Sequence, residues 1–247
     1  MWVLAQRELL KAIRLPGNWV LLALLQFILT YLFLVQLEWY QSIATQLATQ
    51  VDAPGVTDLV VGPHFITTAT LLLAGIPLFT MPLIAEEYRA GTACLLLSAP
   101  ISSTQIILGK YLGCMLFLLL PITLAAAPTA SLALGTALDW GQWLCALLGV
   151  ILLCCSISAI GLFFSTLTRT PLLAAMSTFG TLLLLWVIQP AVGGESGGIL
   201  GYLALPQHLI PFTQGLLNSQ DLLYHLLLTV SALALAIFRL DLGRRPL

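Results

Sequence analysis

WVLLALLQFILTYLFLVQL, residues 19–37, carries no charge from end to end and stops at Glu38-Trp39-Tyr40. About 20 mostly apolar residues cross a hydrocarbon core of ~30 Å, so this run reads as a first transmembrane helix. The aromatics at its exit suit headgroup level. Upstream, Pro16-Gly17-Asn18 breaks the chain, and Asn18 is placed to cap the helix that follows. Before the break, Gln6 to Arg14 alternates at helical spacing, with Arg7, Lys11 and Arg14 on one face and Ala5, Leu9 and Ile13 on another. Residues 1–16 are therefore expected to form an amphipathic helix lying on the membrane surface. Met1 to Glu8 lacks an apolar core followed by a small-residue cleavage site, so no removed signal peptide is expected and the first span should stay as an anchor.

The same reading carries along the chain. Past Asp52, Pro54-Gly55 and Asp58, a second span is expected from Pro63 to Ala85, interrupted by Pro77 and Pro82, each of which removes a backbone donor. Glu86 to Gln105 is the most polar and best punctuated stretch, and Ser102-Ser103-Thr104-Gln105 reads as a capping box opening a third span that ends near Leu134. A short turn at Asp139-Trp140-Gly141 precedes a fourth span from Trp143 to Leu167. Thr168-Arg169-Thr170-Pro171 turns the chain into a fifth, ending near Pro190, and the sixth runs from Leu222 to Phe238. Between Ala191 and Asp221 the apolar segment Leu203 to Leu217 is too short, and too broken by Pro206, Pro211 and Gly215, to span. It is expected to dip back into the membrane from the outer face.

Composition fits this layout: 60% of the 247 residues are hydrophobic and 8% are charged, with a mean hydropathy of +1.02, far from the proportions of a soluble domain. The net charge of −1 points to no nucleic-acid partner. Where the charges fall is more informative. Arg7, Lys11, Arg14, Arg89, Lys110, Arg169, Arg239, Arg244 and Arg245 fall on one side of a six-span arrangement, while Glu38, Asp52, Asp58, Asp139, Glu195 and Asp221 fall on the other. Cytoplasmic loops carry the excess of lysine and arginine, so both termini are expected inside.

Sites of chemistry are sparse. No phosphate-cradling Gly-x-x-x-x-Gly-Lys-[Ser/Thr] loop is present, so ATP would be bound by another polypeptide, with its magnesium, and this chain is expected to hold no cofactor. His64, His208 and His225 stand near three separate outer span ends, without ligand spacing, and read as interfacial polar residues; no metal is assigned. Cys114, Cys145, Cys154 and Cys155 sit in apolar runs as small core residues. Glu86-Glu87 raises the reading of an intramembrane hydrolase with a general base. That reading needs histidines at the depth of the glutamates, and here the two are expected at opposite faces. Ser156, Ser158 and Ser165, with no base expected at their depth, read as small residues that let helices pack closely.

The stretch from Pro82 to Gly113 closely resembles the first cytoplasmic segment of type-2 ABC transporter permeases. The family's elements occur in its order: an acidic and basic pair (Glu87, Arg89), a Gly-Thr step (Gly91-Thr92), a leucine cluster (Leu95, Leu96, Leu97), a Ser-x-Pro turn ending at Pro100, and a Leu-Gly-Lys helix start (Leu108-Gly109-Lys110). Gly161 to Arg169, and Pro211-Phe212 through Gly215 to Asp221, are similar to the gliding-motility branch. Ala93-Cys94 departs from the pattern where many relatives carry an acidic residue, so one polar contact to the ATPase is expected to be missing.

The resemblance implies an all-α permease forming one transmembrane domain over residues 1–247, in the bacterial cytoplasmic membrane. It implies a second permease half, the same chain or a related one, above two ABC ATP-binding subunits, and allows an accessory membrane protein with a periplasmic domain. Residues 86–105 would couple to the ATPase, through Glu86, Glu87, Arg89, Gly91, Thr92, Leu95, Leu96, Leu97 and Pro100. Residues 191–221 would form an outer gate, through Pro206, Pro211, Phe212 and Gly215. Export is the leading expectation, with cytochrome or copper-enzyme maturation as a rival within the superfamily.

Overall fold

A computed structural model describes residues 1–47, 54–92, 101–192 and 201–243, and no strand occurs among them. In chain order the helices are α1 (Trp2–Arg14), α2 (Pro16–Leu47), α3 (Gly62–Thr80), α4 (Ala85–Arg89), α5 (Ser103–Ser131), α6 (Trp140–Leu167), α7 (Pro171–Val192), α8 (Leu205–Thr213) and α9 (Ser219–Leu242). The turn Thr57–Val61 entering α3 is wound as π-helix. Six helical segments, built on α2, α3, α5, α6, α7 and α9, are long and apolar enough to cross a membrane. The chain is an all-α, polytopic membrane protein.

Local chemistry sets the boundaries. Ser102 accepts from the backbone of Gln105 at 3.2 Å while Gln105 accepts from Ser102 N at 3.4 Å, the reciprocal box expected at the start of α5. Asp139 caps α6 by accepting from Gly141 N and Gln142 N. The start of the first span differs from the sequence reading. Pro16, which has no N–H to satisfy and a helical φ already fixed, begins α2 itself. Asn18 instead sends its amide back to the carbonyl of Ala12 at 2.8 Å, and Trp19 Nε1 reaches that of Ile13, so both side chains close the end of α1. α2 also continues past Glu38-Trp39-Tyr40 to Leu47, because those residues mark headgroup polarity and do not interrupt backbone pairing.

Pro77, Pro121 and Pro128 have different company from Pro82. The first three stay inside helices, Pro77 in α3 and the other two in α5. At Pro82 the helix gives way to a turn, separating α3 from α4.

The buried α6 is the axis of the molecule. It packs against α3, α5, α7, α8 and α9, and its inward positions run from Cys145 through Ser165 to Thr166. Small residues allow the close crossings: a Cβ on Gly149 would lie 2.6 Å from that of Phe212 in α8. By contrast, α2, α7 and α9 present apolar faces outward, including Phe27, Leu184 and Leu227. At one end of the bundle α1, α4, the start of α5 and the ends of α6 and α9 come together with the described basic residues, among them Arg7, Lys11, Lys110, Arg169 and Arg239. At the other end Gln142 Nε2 donates to Asp58 Oδ1 at 2.9 Å and to the Thr213 carbonyl at 3.0 Å, drawing the entry to α3, the start of α6 and the end of α8 into one cluster.

Candidate functional site

α4 is a five-residue helix with too few internal hydrogen bonds to stand alone, and three neighbouring helices hold it. The break at Pro82 leaves backbone N–H groups unpaired, and Ser165 of α6 takes two of them. Its Oγ accepts from Ile84 N and Ala85 N, each at 3.0 Å, and donates to the Met81 carbonyl at 3.0 Å. Ser165 is thus the cap of a helix on another segment, a role its sequence reading as a packing residue did not contain.

Glu87 is held from α5. Lys110 Nζ stands 2.7 Å from Glu87 Oε1 and 2.7 Å from Glu8 Oε1, and the lysine side chain is 1% exposed. A cation this deeply buried needs its partners: burying an unpaired charge costs roughly several kcal/mol even after relaxation. One lysine thereby ties α1, α4 and α5 together. Beside it, Lys11 Nζ pairs with Glu86 Oε2 at 2.8 Å with both side chains more than 40% exposed, so this second tie contributes about 0–1 kcal/mol.

α1 reaches the lysine because α5 offers a smooth bed. A Cβ on Gly113 would lie 2.7 Å from the Ala5 carbonyl oxygen and one on Gly109 2.9 Å from Leu4 Cβ, so the two glycines, four apart, let the backbone of α5 approach both backbone and side chain of α1. Ala5 is fully buried there, whereas Ile13, read on the same apolar face, is exposed.

α4 ends on Gly91. With φ of 72°, Gly91 takes the left-handed conformation that lets its N–H bond Tyr88 O at 3.3 Å while Thr92 N bonds Glu87 O at 3.0 Å. The Gly-Thr step thus closes the helix and turns the chain away. Arg89 is exposed and forms no ion pair among the described residues. Leu95, Leu96, Leu97 and Pro100 lie outside the described residues.

At the opposite end, α8 uses the same device. Gly215, with φ of 80°, donates to Phe212 O at 3.2 Å while Leu216 N bonds Pro211 O at 2.9 Å. Pro206 sits in the first turn, where a missing N–H does no harm, and Phe212 is fully buried against Gly149. The four residues read as an outer gate are therefore those that start, end and seat one nine-residue helix.

The histidines are buried within the bundle. All three are at most 2% exposed, and each joins two segments. His64 meets the Ala125 carbonyl at 3.0 Å; His208 lies 2.6 Å from Asp221 and 2.8 Å from the Tyr202 carbonyl, stacked on Tyr224 at 3.9 Å between centroids. His225 Nδ1 stands 2.9 Å from Ser156 Oγ, so a base does share the depth of that serine. The pair is enclosed, with both residues fully buried, and it fastens α6 to α9. No group of three or more metal-capable side chains gathers among the described residues.

Residues 2–241 match the family model described as ABC-2 family transporter protein. A comparison with curated proteins finds no match. With the match covering nearly the whole chain and six helices fit to span, the chain belongs to the ABC-2 transporter family and is the multi-pass membrane subunit of an ABC transporter.

Proposed function

We propose that the chain is the permease half of an ATP-driven exporter of the gliding-motility branch, and that α4 with the segment to Gln105 is where ATP-binding subunits push. The observation that carries this is the anchorage of α4. Five residues are held at once by Ser165 of α6, Lys110 of α5 and Lys11 of α1, so a displacement of α4 reaches the central helix, a spanning helix and the surface helix together. Leu95 to Leu97 follow in the sequence, and in this reading the docking face of an ATP-binding subunit covers that apolar cluster.

In this reading the basic end faces the cytoplasm, both termini included, and a second permease half completes the path. α8 closes the path from outside. It is too short to cross a membrane and is wedged against α6 and α3, so export requires it to part from Gly149 and from α9. The test is copurification of an ATP-binding subunit with this chain and with Leu96→Glu. The variant is expected to insert normally and to lose both the ATPase and transport. Retention of the ATPase at the normal ratio would remove this segment as the coupling element.

A further inference from the structure

We propose that a pocket at the basic end binds the phosphate of an anionic phospholipid headgroup. The cavity, of about 240 Å³, lies between the end of α4, the turn after α6 and the end of α9. Tyr88, Thr166, Thr168, Arg169, Arg239 and Gly243 line it.

The lining chemistry selects an anion with several acceptor oxygens. Arg169 and Arg239 bring two guanidinium forks from different segments, and neither forms an ion pair among the described residues. Thr166 and Thr168 already give their protons to the Phe163 and Phe164 carbonyls, which leaves the Tyr88 hydroxyl as the neutral donor. That hydroxyl reaches across the pocket to within 3.9 Å of where a Cβ on Gly243 would stand. The carbonyl ends of α6 and α9 border the cavity and attract the guanidinium groups without supplying the paired oxygens their forks accept.

The surroundings select lipid over a free ion. Leu167 at the end of α6, Leu172 at the start of α7, and Phe238 and Leu242 in α9 are exposed apolar side chains, and in a bilayer they offer acyl chains a path beside the pocket. The depression over α1 differs: Arg7, Lys11 and Arg14 rim a wider opening, and Lys11 is already paired with Glu86. A headgroup in the Arg169 pocket would touch the coupling helix, the turn between α6 and α7 and the last span together.

The experiment follows melting of the full chain in dodecyl maltoside as dioleoylphosphatidylglycerol is added, with dioleoylphosphatidylcholine and inorganic phosphate in parallel. Phosphatidylglycerol is expected to raise the melting temperature and the other two to leave it unchanged. Arg169→Gln/Arg239→Gln should raise the half-saturating phosphatidylglycerol by more than about tenfold, as expected for lost charge-assisted hydrogen bonds. Arg7→Gln/Arg14→Gln removes equal charge elsewhere and should change it by less than about threefold. Tyr88→Phe keeps every charge and should weaken binding measurably with unaltered lipid-free melting, which serves if the double arginine variant does not fold. An equal effect from the α1 variant, or Tyr88→Phe and the arginine variant both binding like the parent, would overturn the site. Stabilisation by inorganic phosphate alone would make it a free-anion site and overturn the lipid assignment. Loss of ATPase copurification with unchanged phosphatidylglycerol binding would give the pocket to the partner protein instead.

Discussion

His208 Nδ1 and Asp221 Oδ1 approach to 2.6 Å, joining a nine-residue helix that crosses nothing to a helix that spans the bundle. Nε2 of the same ring meets the Tyr202 carbonyl, which only accepts, so that nitrogen carries a proton and Nδ1 faces the carboxylate. Tyr224 covers one ring face. Removing the ring leaves the buried Asp221 oxygen without its partner, which costs about 1–3 kcal/mol. His208→Leu is therefore expected to free α8, and a cysteine at Gln214 should react faster with an impermeant thiol reagent in that background. An unchanged rate would mean that Phe212 alone seats the helix.

Lys110 separates stability from coupling. Lys110→Met leaves Glu8 and Glu87 facing each other and should lower stability by about 3–5 kcal/mol. Adding Glu8→Gln and Glu87→Gln removes the stranded charges and should recover most of the loss. Melting of the two variants checks this. Stimulation of the ATPase should stay low in both, because the buried tie is gone and only the exposed Lys11–Glu86 pair still joins α1 to α4.

Ser165→Ala removes the acceptor for Ile84 N and Ala85 N, and leaving such groups unsatisfied costs about 1–3 kcal/mol. Hydrogen exchange should quicken at residues 84 and 85 and stay unchanged at the start of α5, where the Ser102 box is independent.

Gly113→Ala places a methyl group where the Ala5 carbonyl already stands at 2.7 Å. α1 should lift from α5, and an Ala5→Cys probe, buried in the parent, should become reactive. The same probe should stay protected in Gly17→Ala, where a Cβ meets nothing within 4 Å.

Sidedness has its own test. In a background lacking native cysteines, Asp58→Cys should react with an impermeant reagent from outside and Arg169→Cys should not; the reverse pattern would invert the bundle.

What the sequence discloses depends on the range of the interaction. The spans, the Ser102 box, the Asp139 turn and the shortness of the α8 segment rest on neighbours within a few residues, and each is legible. Asn18 misleads because a side chain at a helix junction can close the helix behind it as well as open the one ahead, and Pro16 already opens α2. In the sequence Lys110 reads as a helix-start cation and Ser165 as a small packing residue, and nothing local marks Glu8. Their joint role appears only when α1, α5 and α6 converge on α4. The four-residue spacing of Gly109 and Gly113 was the one local sign that something lies against α5 there.

The bond between Glu8 and Lys110 spans 102 residues, and that separation dictates an order of assembly. When α1 leaves the ribosome its seat on α5 has yet to be made, and two spanning segments must be threaded first. During that interval its exposed Trp2, Leu10 and Ile13, with the cations between them, give it a resting place on the lipid surface. The docking of α1 then reports that the third span has arrived. A chain released before Lys110 would leave this helix adrift, marking an incomplete protein for proteolysis.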